Sequence, residues 1–216
     1  MTGPAAAVEG GNVYDKYGSR HPVERRLVSR FLGELADLVE STGAQEVHEV
    51  GCGEGEIARM LAQRGLRVRG SDVSAAVVEE AAARARAAGV HVDFKAASLD
   101  RLDPREDAAE LVVCCEVLEH LEDAQGGLEI VAGLARPWAI LSVPREPLWR
   151  ALNLLRGAYV RDLGNTPGHL NHWSRGGFLR FLERRFEVVA VRSPLPWTMA
   201  LCRTRPGPGA STIPAR

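Results

Sequence analysis

At 216 residues the chain is long enough for one well-buried core and too short for two ordinary domains. A formal net charge of −1 provides no global field to recruit nucleic acid, and 45% hydrophobic residues suit a globular fold. No stretch is apolar for the length of a membrane span, Met1 to Gly11 lacks the basic start and apolar core of a signal peptide, and the four cysteines, Cys52, Cys114, Cys115 and Cys202, show no metal-type pairing; the expectation is a cytoplasmic protein with reduced, mostly packed thiols.

Residues 1–11 are expected to be disordered, 12–203 to form one domain, and the proline- and glycine-rich 204–216 to be a loose tail. Between them helices and strands alternate in the manner of a doubly wound α/β sheet. His21-Pro22 opens an amphipathic helix to about residue 40, with Leu27, Phe31, Leu35 and Leu38 on one face. Strands are expected at 46–50 and 67–72 around a helix at 56–64; Ser74 caps a helix to 88, followed by strands at 91–94 and 110–115. A helix over 117–134 precedes a strand at 138–143, and a long connection leads to a helix at 174–184 and strands at 186–191 and 197–203.

The most informative stretch is Val47-His48-Glu49-Val50-Gly51-Cys52-Gly53-Glu54-Gly55, followed by Gly70-Ser71-Asp72. An apolar strand enters a turn with glycine at alternate positions, where a side chain would hold a ligand off the backbone. A second strand then ends in a carboxylate placed to accept both hydroxyls of a ribose. A dinucleotide fingerprint needs a third glycine where Glu56 stands, and Glu49 and Glu54 would repel a diphosphate but not an aminoacyl sulfonium.

E-x-G-x-G-x-G with Asp72 resembles motifs I and II of the class I S-adenosylmethionine-dependent methyltransferases. Cys115-Glu116-Val117-Leu118-Glu119-His120 resembles the E-V-L-E-H segment of small-molecule members, including ubiquinone-pathway O-methyltransferases. The resemblance implies a Rossmann-like seven-stranded sheet ending in an antiparallel hairpin. It also implies S-adenosylmethionine as cofactor, with Gly51, Gly53 and Gly55 lining its methionine portion and Glu49 holding its ammonium. By the same resemblance Asp72 takes the ribose, Val73 packs on the adenine, Ser98 with the Leu99 backbone addresses the adenine edge, and Cys115 and Glu116 lie near the transferred methyl. Two departures are Ser98, where an acidic residue is usual, and Ala135-Arg136-Pro137-Trp138 in place of the usual K-P-G-G turn.

Glu116, Glu119 and His120 are spaced to share one face of a helical turn, which suits a divalent cation and equally a solvated first turn. With a distant histidine, for which His169 is the better match in Gly168-His169-Leu170-Asn171-His172-Trp173, the group resembles the metal site of small-RNA 3′-terminal methyltransferases. Glu116, Glu119, His120 and His169 are therefore the candidate ligands for magnesium, manganese, iron or zinc. Without a metal, His120 or His169 is a general base, or both are structural.

Residues 145–173 read as a lid over the substrate. The stretch from Arg145 to Arg185 carries eight arginines against three carboxylates, and 147–160 is amphipathic. Such a helix is either solvated surface or a cover for an anionic or lipid-like acceptor, and it suits contact with an anionic membrane surface. Tyr14 and Tyr17 either fold over the pocket or pack structurally. The expected activity is methyl transfer to an oxygen of a small molecule; the rivals are an RNA 3′-terminal methyltransferase, a nicotinamide-dependent oxidoreductase and a catalytically silent binding module. The chain shows no strong nucleic-acid signal.

Overall fold

The computed structural model describes residues 21–205 except 156, 158, 160 and 161. The expectations for 1–11, Tyr14, Tyr17, Arg156, Arg161 and 206–216 lie outside the described residues. Helix α1 (Pro22–Thr42) starts with proline in its first turn and stops at Gly43, whose φ of 68° closes the helix with a left-handed cap. Phe31, Leu35, Leu38 and Val39 are its buried face. Each such side chain contributes roughly 1.5–3 kcal/mol on burial.

The remaining elements follow in the order β1 (Glu46–Val50), α2 (Glu56–Ala62), β2 (Arg67–Asp72), α3 (Ala75–Ala87), β3 (Asp93–Ala96), β4 (Ala109–Cys115), α4 (Ala124–Leu134), β5 (Ala135–Pro144), α5 (Leu148–Leu155), α6 (Arg175–Leu182), β6 (Phe186–Arg192) and β7 (Trp197–Thr204). They form one seven-stranded sheet in the order β3-β2-β1-β4-β5-β7-β6. All neighbours are parallel except β5 with β7 and β7 with β6, which are antiparallel. The seven-stranded sheet and its terminal hairpin agree with the reading of the sequence.

Strand alternation splits the core in two. Val47, Val113, Ile140 and Met199 face α1 and α2, while Val112, Leu141, Ala200 and Cys202 face α4 and α6. The strand order reverses between β1 and β4, and in sheets of this type a ligand lies beyond the carboxyl ends of the strands at that point.

Several boundaries differ from the expectation, β5 among them, which begins at Ala135 and not at 138. The third strand is Asp93–Ala96, two residues later than the sequence pattern suggests. The single helix expected over 117–134 is a 3₁₀ turn, Leu118–His120, followed by α4. Glu116 has a left-handed φ of 60°, Leu121 is extended, and Asp123 caps the new helix by accepting from Gly126 N–H at 2.8 Å. Glu116, Glu119 and His120 therefore do not share a helical face.

Candidate active site

The glycine turn is built by β2. Gly51 N–H and Cys52 N–H both donate to the Ser71 carbonyl, at 2.7 and 2.9 Å. Gly53 N–H donates to Asp72 Oδ2 and Ser74 N–H to Asp72 Oδ1, each at 3.0 Å. Gly51, Gly53 and Gly55 have φ of 71°, 51° and 72°, open to glycine and costly to other residues. A Cβ at Gly51 would strike the Val117 side chain, so the turn after β4 lies directly against the loop. Asp72 is buried, while Val73 beside it is 61% exposed, an uncovered apolar side chain at the strand's end.

Beneath the loop, buried His48 bridges Asp107 and Ser71. Its Nδ1 donates to the Asp107 carbonyl at 2.7 Å, since a carbonyl can only accept, and its Nε2 therefore accepts from the Ser71 hydroxyl at 3.0 Å. Burial holds the imidazole pKa below its ordinary value. Burial also works against the Asp107 carboxylate, but the Asp103 amide and the Lys95 ammonium at 2.9 Å outweigh it and keep that group below the usual range.

Beyond β3, where the sequence places the adenine site, Ser98 leads into the 3₁₀ turn Leu99–Arg101 and its hydroxyl donates to Asp100 Oδ1 at 2.5 Å. That bond holds the Asp100 carboxyl below its usual range. A carboxylate thus stands next to Ser98, two residues from the position the motif assigns to it.

At the carboxyl end of β4, Glu116 Oε1 accepts from the Ser142 hydroxyl at 3.0 Å and Oε2 from Trp197 Nε1 at 2.7 Å. Glu119, His120 and His169 instead come together, each offering a ligand atom within 4.8 Å of the others. The returning chain assembles this group. Leu170 N–H and Asn171 N–H donate to the Glu119 carbonyl at 2.8 and 3.0 Å, and Asn171 Nδ2 to the carbonyls of Leu118 and Leu121 at 3.2 and 2.6 Å. His120 Nδ1 donates to the Gly168 carbonyl at 3.0 Å, which makes Nε2 the acceptor nitrogen of the neutral ring, the one with ligand or base character. A carboxylate and two imidazoles so placed fit a divalent ion. Glu116 is not one of the three; its carboxylate is directed to Ser142 and Trp197.

The lid is held from inside. Trp149 Nε1 donates to Thr166 Oγ1 at 2.9 Å, buried Asn153 donates to the Gly164 carbonyl at 2.7 Å, and the Trp149 ring lies 6.1 Å from that of His169. Four of its leucines turn outward: Leu154, Leu155, Leu163 and Leu170 are 42%, 84%, 72% and 57% exposed, while Leu148 and Leu152 are half-buried. An apolar lid face closed over the pocket, as the sequence suggests, is therefore not the arrangement of these four. Ser142, Trp197 and Asn171 escaped the sequence reading, because their partners are distant in the chain; Trp173, bridged to Arg145, marks where the return segment joins the sheet.

The sheet order, the glycine loop after β1 and the carboxylate after β2 give the chain the fold of the class I S-adenosylmethionine-dependent methyltransferases. Residues 47–137 match the family described as "Methyltransferase domain". Among relatives, the ubiquinone biosynthesis O-methyltransferase of Pectobacterium atrosepticum is 31% identical over 125 residues, covering 57% of this chain and 52% of that protein. The enzyme of the same name from Pasteurella multocida is 23% identical over 185 residues, covering 74% and 75%. The chain thus spans about half the length of the first of these. Among solved structures, magnesium protoporphyrin IX methyltransferase from Synechocystis with bound S-adenosylhomocysteine aligns with a TM-score of 0.69 at 22% identity, covering 87% of this chain and 89% of the other. The methyltransferase domain of bacterial CtHen1 aligns with a TM-score of 0.62 at 22% identity, covering 82% and 99%. Both likenesses are of fold.

Proposed function

We propose that this chain is a cytoplasmic enzyme that transfers the sulfonium methyl of S-adenosylmethionine to an oxygen of a small, anionic or lipid-like acceptor. The observation that carries the oxygen assignment is the meeting of Glu119, His120 and His169 beyond β4. Gly51, Gly53, Gly55 and Glu49 would hold the methionine end, Asp72 the ribose, and Val73, Ser98 and Leu99 the adenine, while Cys115 and Glu116 lie at the methyl. His120, oriented by Gly168, takes the acceptor's proton, with His169 beside it at a ring separation of 5.0 Å. Where a divalent ion is held by Glu119, His120 and His169, His120 is a ligand and not the base, and the ion would instead lower the pKa of the acceptor hydroxyl. The O-methyltransferase activity in the relatives' names supports the same choice.

Incubating the protein with methyl-labelled S-adenosylmethionine and a pool of phenols, carboxylates and short RNAs, with and without a chelator, tests this reading. Label on a phenol or carboxylate is expected. Label on the RNA alone would favour the second reading, a metal-dependent RNA 3′-terminal methyltransferase, which the same three-residue group supports. Cofactor binding without transfer to any acceptor would favour a silent binding module.

The outward leucines and the arginines of the lid support contact with a lipid-like acceptor or an anionic membrane surface. Among the described residues no helix is long and apolar enough to cross a membrane. Sedimentation with phosphatidylglycerol vesicles, absent with phosphatidylcholine and reduced by Leu155→Ser, is the expected result.

A further inference from the structure

Glu116 is held more firmly than a substrate-facing side chain needs to be. Its amide N–H donates to the Ser142 carbonyl at 3.1 Å, and the hydroxyl of the same serine donates to its carboxylate. Trp197 supplies the donor to the second oxygen, and both Ser142 and Trp197 are themselves buried. An ionised carboxylate only accepts, so two donors on two oxygens suit its charged form. The residue is also kept in a left-handed backbone conformation, φ 60°, that is unfavourable for a non-glycine residue.

The clamp stands beside the cofactor loop. Val117, next in the chain, packs where a Cβ on Gly51 would lie. Cys115, on the other side, pairs with Ser142 across the sheet. Burial pushes the Cys115 thiol up, against a hydrogen bond with Ser142, and the charges of Glu116 and Glu49 add to the rise, so both carboxylates flank this one strand end. Trp197 in turn packs edge-on against Phe31 of α1 at 5.1 Å and against Trp149 of the lid at 6.0 Å.

The geometry points to Glu116 as a fixed negative charge at the sulfonium, through which the site prefers the cationic S-adenosylmethionine to the neutral product S-adenosylhomocysteine, with Trp197 and Ser142 as the positioning residues. Product differs from cofactor at this point by one positive charge and one methyl, so a charge held here favours the reactant and helps release of the product. Trp197 ties that charge to the lid through Trp149. The inference rests on the methyl-transfer reading above.

Calorimetric titration of the full chain with each nucleoside tests it. Glu116→Gln should weaken S-adenosylmethionine about tenfold and leave S-adenosylhomocysteine within about twofold. Trp197→Phe keeps the ring and loses the N–H; it should move the same ratio about threefold, and Ser142→Ala, which reads the other oxygen, should do likewise if the tryptophan variant fails to fold. An equal loss for both nucleosides, or no change in Glu116→Gln, would overturn the inference while leaving the cofactor assignment intact. Binding of neither by the wild-type protein would overturn both. Manganese titration separates this role from metal ligation: an affinity lowered by Glu119→Gln and untouched by Glu116→Gln is expected, and an equal fall in both would make Glu116 a ligand and sink the assignment.

Discussion

Asp72 serves the glycine loop as well as the ribose proposed for it. Its Oδ2 already holds Gly53 N–H, so Asp72→Ala removes a partner of the loop together with the charge-assisted acceptor for the ligand. The expected loss of S-adenosylmethionine affinity is about 1.5–3 kcal/mol, read by calorimetry on a variant whose folding is checked by circular dichroism. Unchanged affinity would remove Asp72 from the site. Gly53→Val should abolish binding, because a β-branched residue resists the φ of 51° and its side chain would occupy the space proposed for the methionine portion; a valine variant that binds normally would mean that the loop faces away from the ligand. These residues were legible in the sequence because their chemistry is local: a strand, a turn that only glycine makes, and a second strand ending in an acid. Trp197 was not, since it meets Glu116 across 81 positions of sequence, and nothing in Pro194-Leu195-Pro196-Trp197 announces its partner.

Among the elements, the turn between β4 and α4 shows where periodicity misleads. The spacing of Glu116, Glu119 and His120 is helical, yet the backbone leaves β4 through a left-handed glutamate and makes one 3₁₀ turn before Asp123 starts the helix. A glutamate carries no local preference for positive φ, and the tertiary hydrogen bonds with Ser142 and Trp197 hold it there. The Asp123 cap was legible in principle and marks the true helix start. The lid shows a second limit: amphipathic spacing reveals an apolar stripe but not that Leu155 and Leu163 face solvent. What assembles the three-residue group is the return segment, stapled by Asn171 to the carbonyls of Leu118 and Leu121. Asn171→Ala removes two hydrogen bonds of about 1 kcal/mol each. It should lower manganese affinity several-fold and leave S-adenosylmethionine affinity unchanged. Manganese binding that survives in this variant and disappears in His169→Ala would show that the loop finds its place without the staple.

Over the whole molecule, the strand order follows from connections that the sequence displays: helices between parallel strands, then a proline-containing turn joining the final antiparallel pair. The sequence does not display the polar chain that runs through the sheet from Lys95 and Asp107 to His48, Ser71 and the cofactor loop. That chain sets an acid limit on stability. His48 has a folded pKa below 6.5, so as pH falls the unfolded chain takes the proton first. The stabilisation associated with the neutral imidazole is complete above pH 6.5 and is lost as pH falls toward the folded value. Arg69 and Lys95 act in the same direction as burial on this group, while the Asp107 carbonyl and carboxylate oppose them. Asp107, also depressed, adds stability that is complete above pH 3.8 and lost below it, and Glu110, which accepts from the amides of Gln45 and Glu46, behaves likewise below 4.5. Two separate declines in melting temperature are therefore expected on acidification, the first starting near pH 6.5 and the second in the carboxylate range. Scanning calorimetry across pH 7.5 to 3.5 resolves them. His48→Gln, which can still donate to the Asp107 carbonyl but does not titrate, should erase the first decline and keep the second; a wild-type melting temperature that stays level between pH 7 and 5 would mean that His48 accepts its proton in the folded state at no cost.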